Sequence, residues 1–221
     1  MKHAHRTLAL IFTVAVCLMA SPMASRADTT IYNNFAPGLD FNHGYGFDYW
    51  RVETAPGDMA AMPFTPGGNY NLTQIIIALG NLDGDQSVIV TLNADSGGLP
   101  GSVLETWDAL PYDWWNPYVG NYYTPETLVS SPGIVLHAGQ QYWVTASGDP
   151  SVLTDAVWNL NSTGDSGLVA TAGPYRGWST TTYTRGAYEV LGTPAGATTP
   201  EPATLLLLGT GIAGVLARRR K

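Results

Sequence analysis

Cysteine occurs once in the 221 residues, at Cys17, and histidine only four times. Lysine and arginine together number ten, and seven of these sit at the two ends: Lys2, Arg6 and Arg26 at the start, Arg218, Arg219, Arg220 and Lys221 at the finish. Between Asp28 and Thr199 there is no lysine at all, and Arg51, Arg176 and Arg185 face 16 carboxylates, a net charge of −13. Such a body repels phosphate, which excludes nucleic acid as a partner. The acidity itself suits a protein kept soluble outside the cell. One cysteine cannot form a disulfide within the chain, and His43 and His137, the two histidines of the body, offer too few ligands for a zinc or iron centre. A convincing helical stripe is also missing from everything between the two ends.

The ends hold what the body lacks. Lys2 and Arg6 precede an apolar stretch over residues 8–20, and Ser25-Arg26-Ala27 supplies the small residues read by signal peptidase. This predicts a signal helix, general secretion, and a cut between Ala27 and Asp28. A lipoprotein cut before Cys17 would want a small preceding residue, and Val16 is too large. Cys17 therefore leaves with the leader.

At the other end Pro200-Glu201-Pro202 precedes an apolar run of 15 residues, 203–217, and the cations Arg218, Arg219, Arg220 and Lys221 follow it. As a helix rising about 1.5 Å per residue the run spans ~22 Å, short of the ~30 Å hydrocarbon core. Gly209, Gly211 and Gly214 weaken it further. A temporary membrane anchor fits better than a permanent one, with the cations left on the cytoplasmic side. These three ordered elements resemble the PEP-CTERM sorting signal of Gram-negative bacteria that make extracellular polysaccharide. The resemblance covers about a tenth of the chain. It implies an exosortase as partner, a transient hold in the inner membrane, and a destination at the cell surface or in the extracellular matrix.

The expected domains are thus a signal peptide (1–27), one folded body (28–192), a linker (193–199) and the sorting signal (200–221). The body carries all seven tryptophans and all twelve tyrosines. Val88, Val90 and Leu92 alternate with polar neighbours except at Ile89, and Tyr142, Val144 and Ala146 alternate with Gln141, Thr145 and Ser147. Residues 46–54, 71–79, 102–107 and 180–190 read similarly, and Gly/Pro/Asp clusters separate them. The pattern predicts an all-β, antiparallel, jelly-roll-like β-sandwich, flanked by the signal helix and a short C-terminal transmembrane helix. Residues 75–79 and 88–92, joined through Asp83-Gly84, read as a hairpin. Trp50, the Asp95-Ser96-Gly97-Gly98-Leu99-Pro100-Gly101 turn, Tyr142-Trp143 and Ala156-Val157-Trp158 occur in an order that resembles the choice-of-anchor exported domains. That resemblance implies a surface β-sandwich and no particular chemistry.

Four stretches hold candidate chemistry. Gly164-Asp165-Ser166-Gly167 matches the nucleophile loop of trypsin-like proteases, but neither histidine lies in a motif that would supply the base, and the tetrapeptide is ordinary turn composition. Asn81, Asp83 and Asp85 place oxygen side chains at alternate positions, a weak calcium pattern. Its glycine falls between the acids, and no later glutamate completes a loop. Residues 112–123 crowd Trp114, Trp115, Tyr118 and Tyr122 around Asp113 and Asn116. Aromatic faces stacked on sugar C–H groups, with Asp and Asn on the hydroxyls, would make a glycan platform; rings closing one end of the sandwich would be the structural alternative. Asp108, Asp113 and Glu126 could serve glycoside hydrolysis if two of them stood about 5–10 Å apart. The resulting expectation is an exported, non-enzymatic surface protein that associates with exopolysaccharide and holds no cofactor. The alternatives are a purely structural surface protein and a glycan-active hydrolase.

Overall fold

The computed structural model describes residues 28–42, 49–53, 57–85, 87–111 and 124–196. The strands in them are β1 (Thr29–Asn33), β2 (Tyr49–Glu53), β3 (Met59–Phe64), β4 (Tyr70–Ile77), β5 (Leu79–Gly84), β6 (Val88–Asp95) and β7 (Pro100–Ala109). They continue with β8 (Glu126–Val129), β9 (Val135–Leu136), β10 (Tyr142–Gly148), β11 (Thr154–Asn159), β12 (Ser166–Gly173), β13 (Arg176–Thr184) and β14 (Tyr188–Pro194). No helix occurs among the described residues, so none there is long and apolar enough to cross a membrane. The predicted signal helix and terminal transmembrane helix lie outside them.

A six-stranded sheet runs in the order β13-β12-β3-β10-β6-β7, and a second sheet runs β1-β14-β4-β8 with β9 also on β4. A three-stranded sheet, β2-β11-β5, extends the second one. β5 follows β4 after Ala78, where the neighbouring strand changes. The Ala78 N–H donates to the Ala187 carbonyl, and the Asn159 N–H donates to the carbonyl of Ala78. Every strand pairing is antiparallel.

Side-chain alternation explains the layers. Val88, Val90 and Leu92 of β6 and Tyr142, Val144 and Ala146 of β10 point inward with Ala60, Met62 and Phe64 of β3. They meet Ile75 and Ile77 of β4, Tyr188 and Val190 of β14, and Trp158 of β11 in one shared core. Burial of this apolar surface is the main stabilising term, at about 25 cal/mol per Å². The described residues are therefore all-β and sandwich-like, with antiparallel sheets, as the alternation predicts.

Two outer faces are also covered. Ile76 points away from Ile75 and Ile77, and it packs with Phe35, Phe41, Ala78 and Ala187. This explains three consecutive isoleucines in one strand. On the outer side of the six-stranded sheet, Trp143 is fully buried with Ala61 and Ala170, and Leu168 and Trp178 pack against them.

The expected hairpin does not form. Ile75 and Ile77 belong to the sheet of β4, whereas Val88, Val90 and Leu92 pair with β10 and β7 in the opposite layer. Instead of turning, residues 79–84 stay extended because β11 gives them a ladder, with Asn81 opposite Ala156 and Gly84 opposite Thr154. The chain crosses to the other layer between β5 and β6.

Candidate functional site

Gly164-Asp165-Ser166-Gly167 closes the approach to β12 and seats an arginine. Asn161, almost wholly buried, organises the turn. Its Nδ2 donates to the carbonyls of Asp165 (2.8 Å) and Arg185 (2.7 Å), and its Oδ1 accepts from the Asp165 N–H (2.8 Å). Asp165 Oδ2 in turn accepts from the Tyr32 hydroxyl at 2.6 Å and from Asn34 Nδ2 at 3.2 Å. Arg185 Nη1 donates to the Tyr32 oxygen at 3.3 Å and lies 3.6 Å from Asp165 Oδ2.

Gly167 makes this seat possible. A Cβ at that position would overlap Arg185 Nη2 and stand 2.7 Å from Cζ, so only glycine lets the guanidinium lie against the backbone there. Ser166 is exposed and donates to the Gly164 carbonyl (3.3 Å), and His137 lies exposed after β9. Gly167 and Asp165 of the motif shared with proteases hold an arginine, and His43, the other histidine of the body, lies outside the described residues.

Burial, and then the hydrogen bond to Asp165, pushes the Tyr32 phenol up to about 12. Burial works against the Arg185 charge, but Tyr32 and Asp165 outweigh it and hold the guanidinium firmly protonated. Behind Tyr32, the ring of Tyr188 stacks at 4.5 Å, and the fully buried Tyr188 donates its hydroxyl to the Pro63 carbonyl at 2.9 Å. These contacts fix the Tyr32 ring from one side.

Beside the pair lies a cavity of about 240 Å³. Pro63, Phe64 and Leu168 provide apolar wall. Tyr32, Thr65, Gln141 and Arg185 provide the polar lining. Gln141 is oriented from outside the cavity, because its Nε2 donates to Asp95 Oδ1 at 2.8 Å. Nothing in the sequence pattern assembles these residues: they come from β1, β3, the entry to β10, β12 and the turn before β14. The one available signal was that Arg185 is among only three cations of the body.

All three cations are engaged. Arg51 lies 2.8 Å from Glu53 and 2.9 Å from Asp155, Arg176 lies 3.7 Å from Asp58, and Arg185 meets Asp165. Burial, partly offset by Arg51, raises the Glu53 carboxyl above the usual range. No cluster of three or more His, Cys, Asp or Glu able to hold a metal occurs among the described residues. For the calcium pattern, Asn81 is fully buried in β5 while Asp85 is exposed, so these two do not line one accessible loop.

The aromatic cluster Trp114, Trp115, Tyr118 and Tyr122, with Asp113 and Asn116, lies outside the described residues. So do Ala27 and the whole terminal signal from Pro200 to Lys221. Of the three carboxylates considered for glycoside hydrolysis, Asp108 and Glu126 are described. Asp108 follows the core-packed Trp107 and points out of the six-stranded sheet, whereas Glu126 shares the inward side of β8 with buried Leu128. They do not face one another across a cleft. Burial raises the Glu126 carboxyl.

Residues 198–221 match the PEP-CTERM protein-sorting motif. The motif indicates an exported protein that an exosortase processes, and it implies a route toward the cell surface. No curated protein matches the chain. Among solved structures it is similar to the cysteine protease and lectin-like domains of Cwp84, a surface layer associated protein of Clostridium difficile, at 9% identity and a TM-score of 0.41. That match covers 62% of this chain and 32% of the other, so the chain spans about a third of its neighbour's length.

Proposed function

We propose that this is a non-catalytic cell-surface or matrix protein that associates with the extracellular polysaccharide of a Gram-negative host. The observation that carries the reading is the sorting motif over residues 198–221. Signal peptidase releases the chain at Ala27–Asp28, the run 203–217 holds it in the inner membrane, and an exosortase acts at Pro200-Glu201-Pro202. The acidic body with its three paired arginines favours an uncharged or cation-bridged polymer over a polyanion. The separate orientations of Asp108 and Glu126 support a binding role over hydrolysis by that pair.

The test is cell fractionation in an exosortase-bearing host. Wild type should leave the inner membrane with a mature N-terminus at Asp28, whereas Glu201→Ala or deletion of residues 218–221 should leave uncut protein in the membrane fraction. An unchanged distribution for both variants would remove the sorting role. Co-sedimentation of the released protein with the host's own polymer tests the association; protein that stays in the supernatant would leave a purely structural surface protein.

A further inference from the structure

The cavity beside Arg185 has a chemistry that selects among ligands. Its volume, about 240 Å³, lies below the ~300–1,000 Å³ usual for drug-sized ligands. It therefore has room for one ring and not for a buried oligomer. Its lining offers N–H donors on Arg185, hydroxyls on Tyr32 and Thr65, and an amide on Gln141, set against the apolar surfaces of Pro63, Phe64 and Leu168. Hydroxyl-bearing carbon rings present that same division, with polar groups around the rim and C–H groups on the faces.

The charge state decides between an acidic ligand and a neutral one. Asp165, 3.6 Å from Nη1, already balances the arginine, so the site carries no free positive charge. A carboxylate would enter a neutral site inside a body at −13, with no ionic gain to offset its desolvation. A neutral hydroxyl can still accept from a charge-assisted donor without displacing Asp165.

The site is also built rather than incidental. Gly167 leaves room for the guanidinium, Asn161 ties the Asp165 turn to the Arg185 backbone, and Tyr188 backs the Tyr32 ring. Arg185 and Tyr32 are thus held before a ligand arrives, which lowers the ordering cost of binding.

We propose that this cavity binds a single uncharged pyranose unit, with Arg185 and Tyr32 on its hydroxyls and Leu168 and Pro63 against its C–H face. The proposal rests on the polysaccharide reading above.

The test is ligand-observed NMR and calorimetry on the exported protein, using the methyl glycosides of glucose, galactose, mannose, N-acetylglucosamine and glucuronic acid. At least one neutral glycoside should bind with Kd on the order of 1 mM. Arg185→Gln should weaken it by about tenfold or more through loss of a charged hydrogen bond. Because Arg185→Gln also disturbs Asp165, Thr65→Trp supplies a second variant. Thr65 is exposed at the cavity, so a large ring there should block binding while the urea midpoint stays at the wild-type value. Absence of binding by every neutral glycoside, preference for glucuronic acid, or unchanged affinity in a folded Thr65→Trp would each overturn the assignment. Co-sedimentation separates the two levels. If both variants still follow the polymer, the cavity is not the contact and the broader association stands. If wild type binds a glycoside but not the polymer, the cavity stands and the broader association falls.

Discussion

Asp95 shows how one carboxylate can set a loop. Its Oδ1 accepts from Gln141 Nε2 and Trp143 Nε1, both at 2.8 Å, and its Oδ2 accepts from the Gly98 N–H at 3.1 Å. The last bond requires the turn in which Gly97 and Gly98 take φ of 66° and 84°. Burial tends to raise this carboxyl, but the three donors prevail and hold it below the ordinary aspartate value. Replacing Asp95 with Ala leaves the indole N–H of a fully buried tryptophan without its acceptor. The expected loss is about 1.5–3 kcal/mol, read as a lower urea midpoint at unchanged slope. A folded-state pKa below the unfolded one means the carboxylate adds stability above the unfolded value, and that stability fades as pH falls through the folded value. The acid limb of the stability–pH curve should therefore flatten in Asp95→Asn, with Trp143 emission reporting the change locally. If that variant keeps the wild-type limb, the three bonds do not favour the charged form.

Residues of this kind were partly legible. The Asp95–Gly101 turn and the Tyr142-Trp143 pair were both visible in the sequence, because glycine, proline and alternation leave local marks. Their mutual hydrogen bonds were not, since Asp95 and Trp143 are 48 positions apart. The Arg185 seat was less legible still. Its glycine and aspartate sat in a tetrapeptide that invites a protease comparison, while Tyr32 lies 153 positions from the arginine it touches. No short-range rule links them.

At the scale of strands, period-2 alternation located β6 and β10 because each sends one side into the core. It failed where both faces are covered. The 75–77 isoleucine run gives no face preference, and the cover supplied by Phe35 and Phe41 comes from the stretch after β1. The hairpin expectation failed for a related reason: turn composition at Asp83-Gly84 was outweighed by the ladder that β11 offers.

Position in the sheet makes a prediction that the sequence could not. β10 lies between β3 and β6, so neighbours on both sides take up its backbone groups. Among the described residues β13 is an edge, exposed along most of its nine residues and paired only with β12. Amide exchange should accordingly be slow at every core position of β10 and alternate along β13, fast where the N–H points away from β12. Uniform protection of β13, equal to that of β10, would mean that another strand covers this edge, a familiar route to self-association.

For the whole molecule the governing quantity is charge. The body from Asp28 to Thr199 stands at −13, and its three arginines are already in ion pairs. Added salt has two opposing effects. It weakens those four pairs; in two of them, Arg51–Asp155 and Arg176–Asp58, both partners are substantially exposed, so these contribute ~0–1 kcal/mol each. It also screens repulsion among the unpaired carboxylates, with a Debye length falling from ~30 Å at 0.01 M to ~3 Å at 1 M. A net charge of −13 outweighs four pairs, so raising NaCl from about 0.01 to 0.5 M should raise Tm by a few degrees. Calcium chloride at matched ionic strength separates screening from a specific site. A ligand bound only by the folded state stabilises by RT ln(1 + [L]/Kd), about 2.7 kcal/mol at 100 times Kd. Asn81 is buried in a strand while Asp85 is exposed, so calcium should add nothing beyond its ionic strength through that segment. A Tm well above the sodium curve that drops back in Asp85→Asn would instead place a cation there, and a Tm that falls with NaCl would show that the ion pairs, not the net charge, dominate.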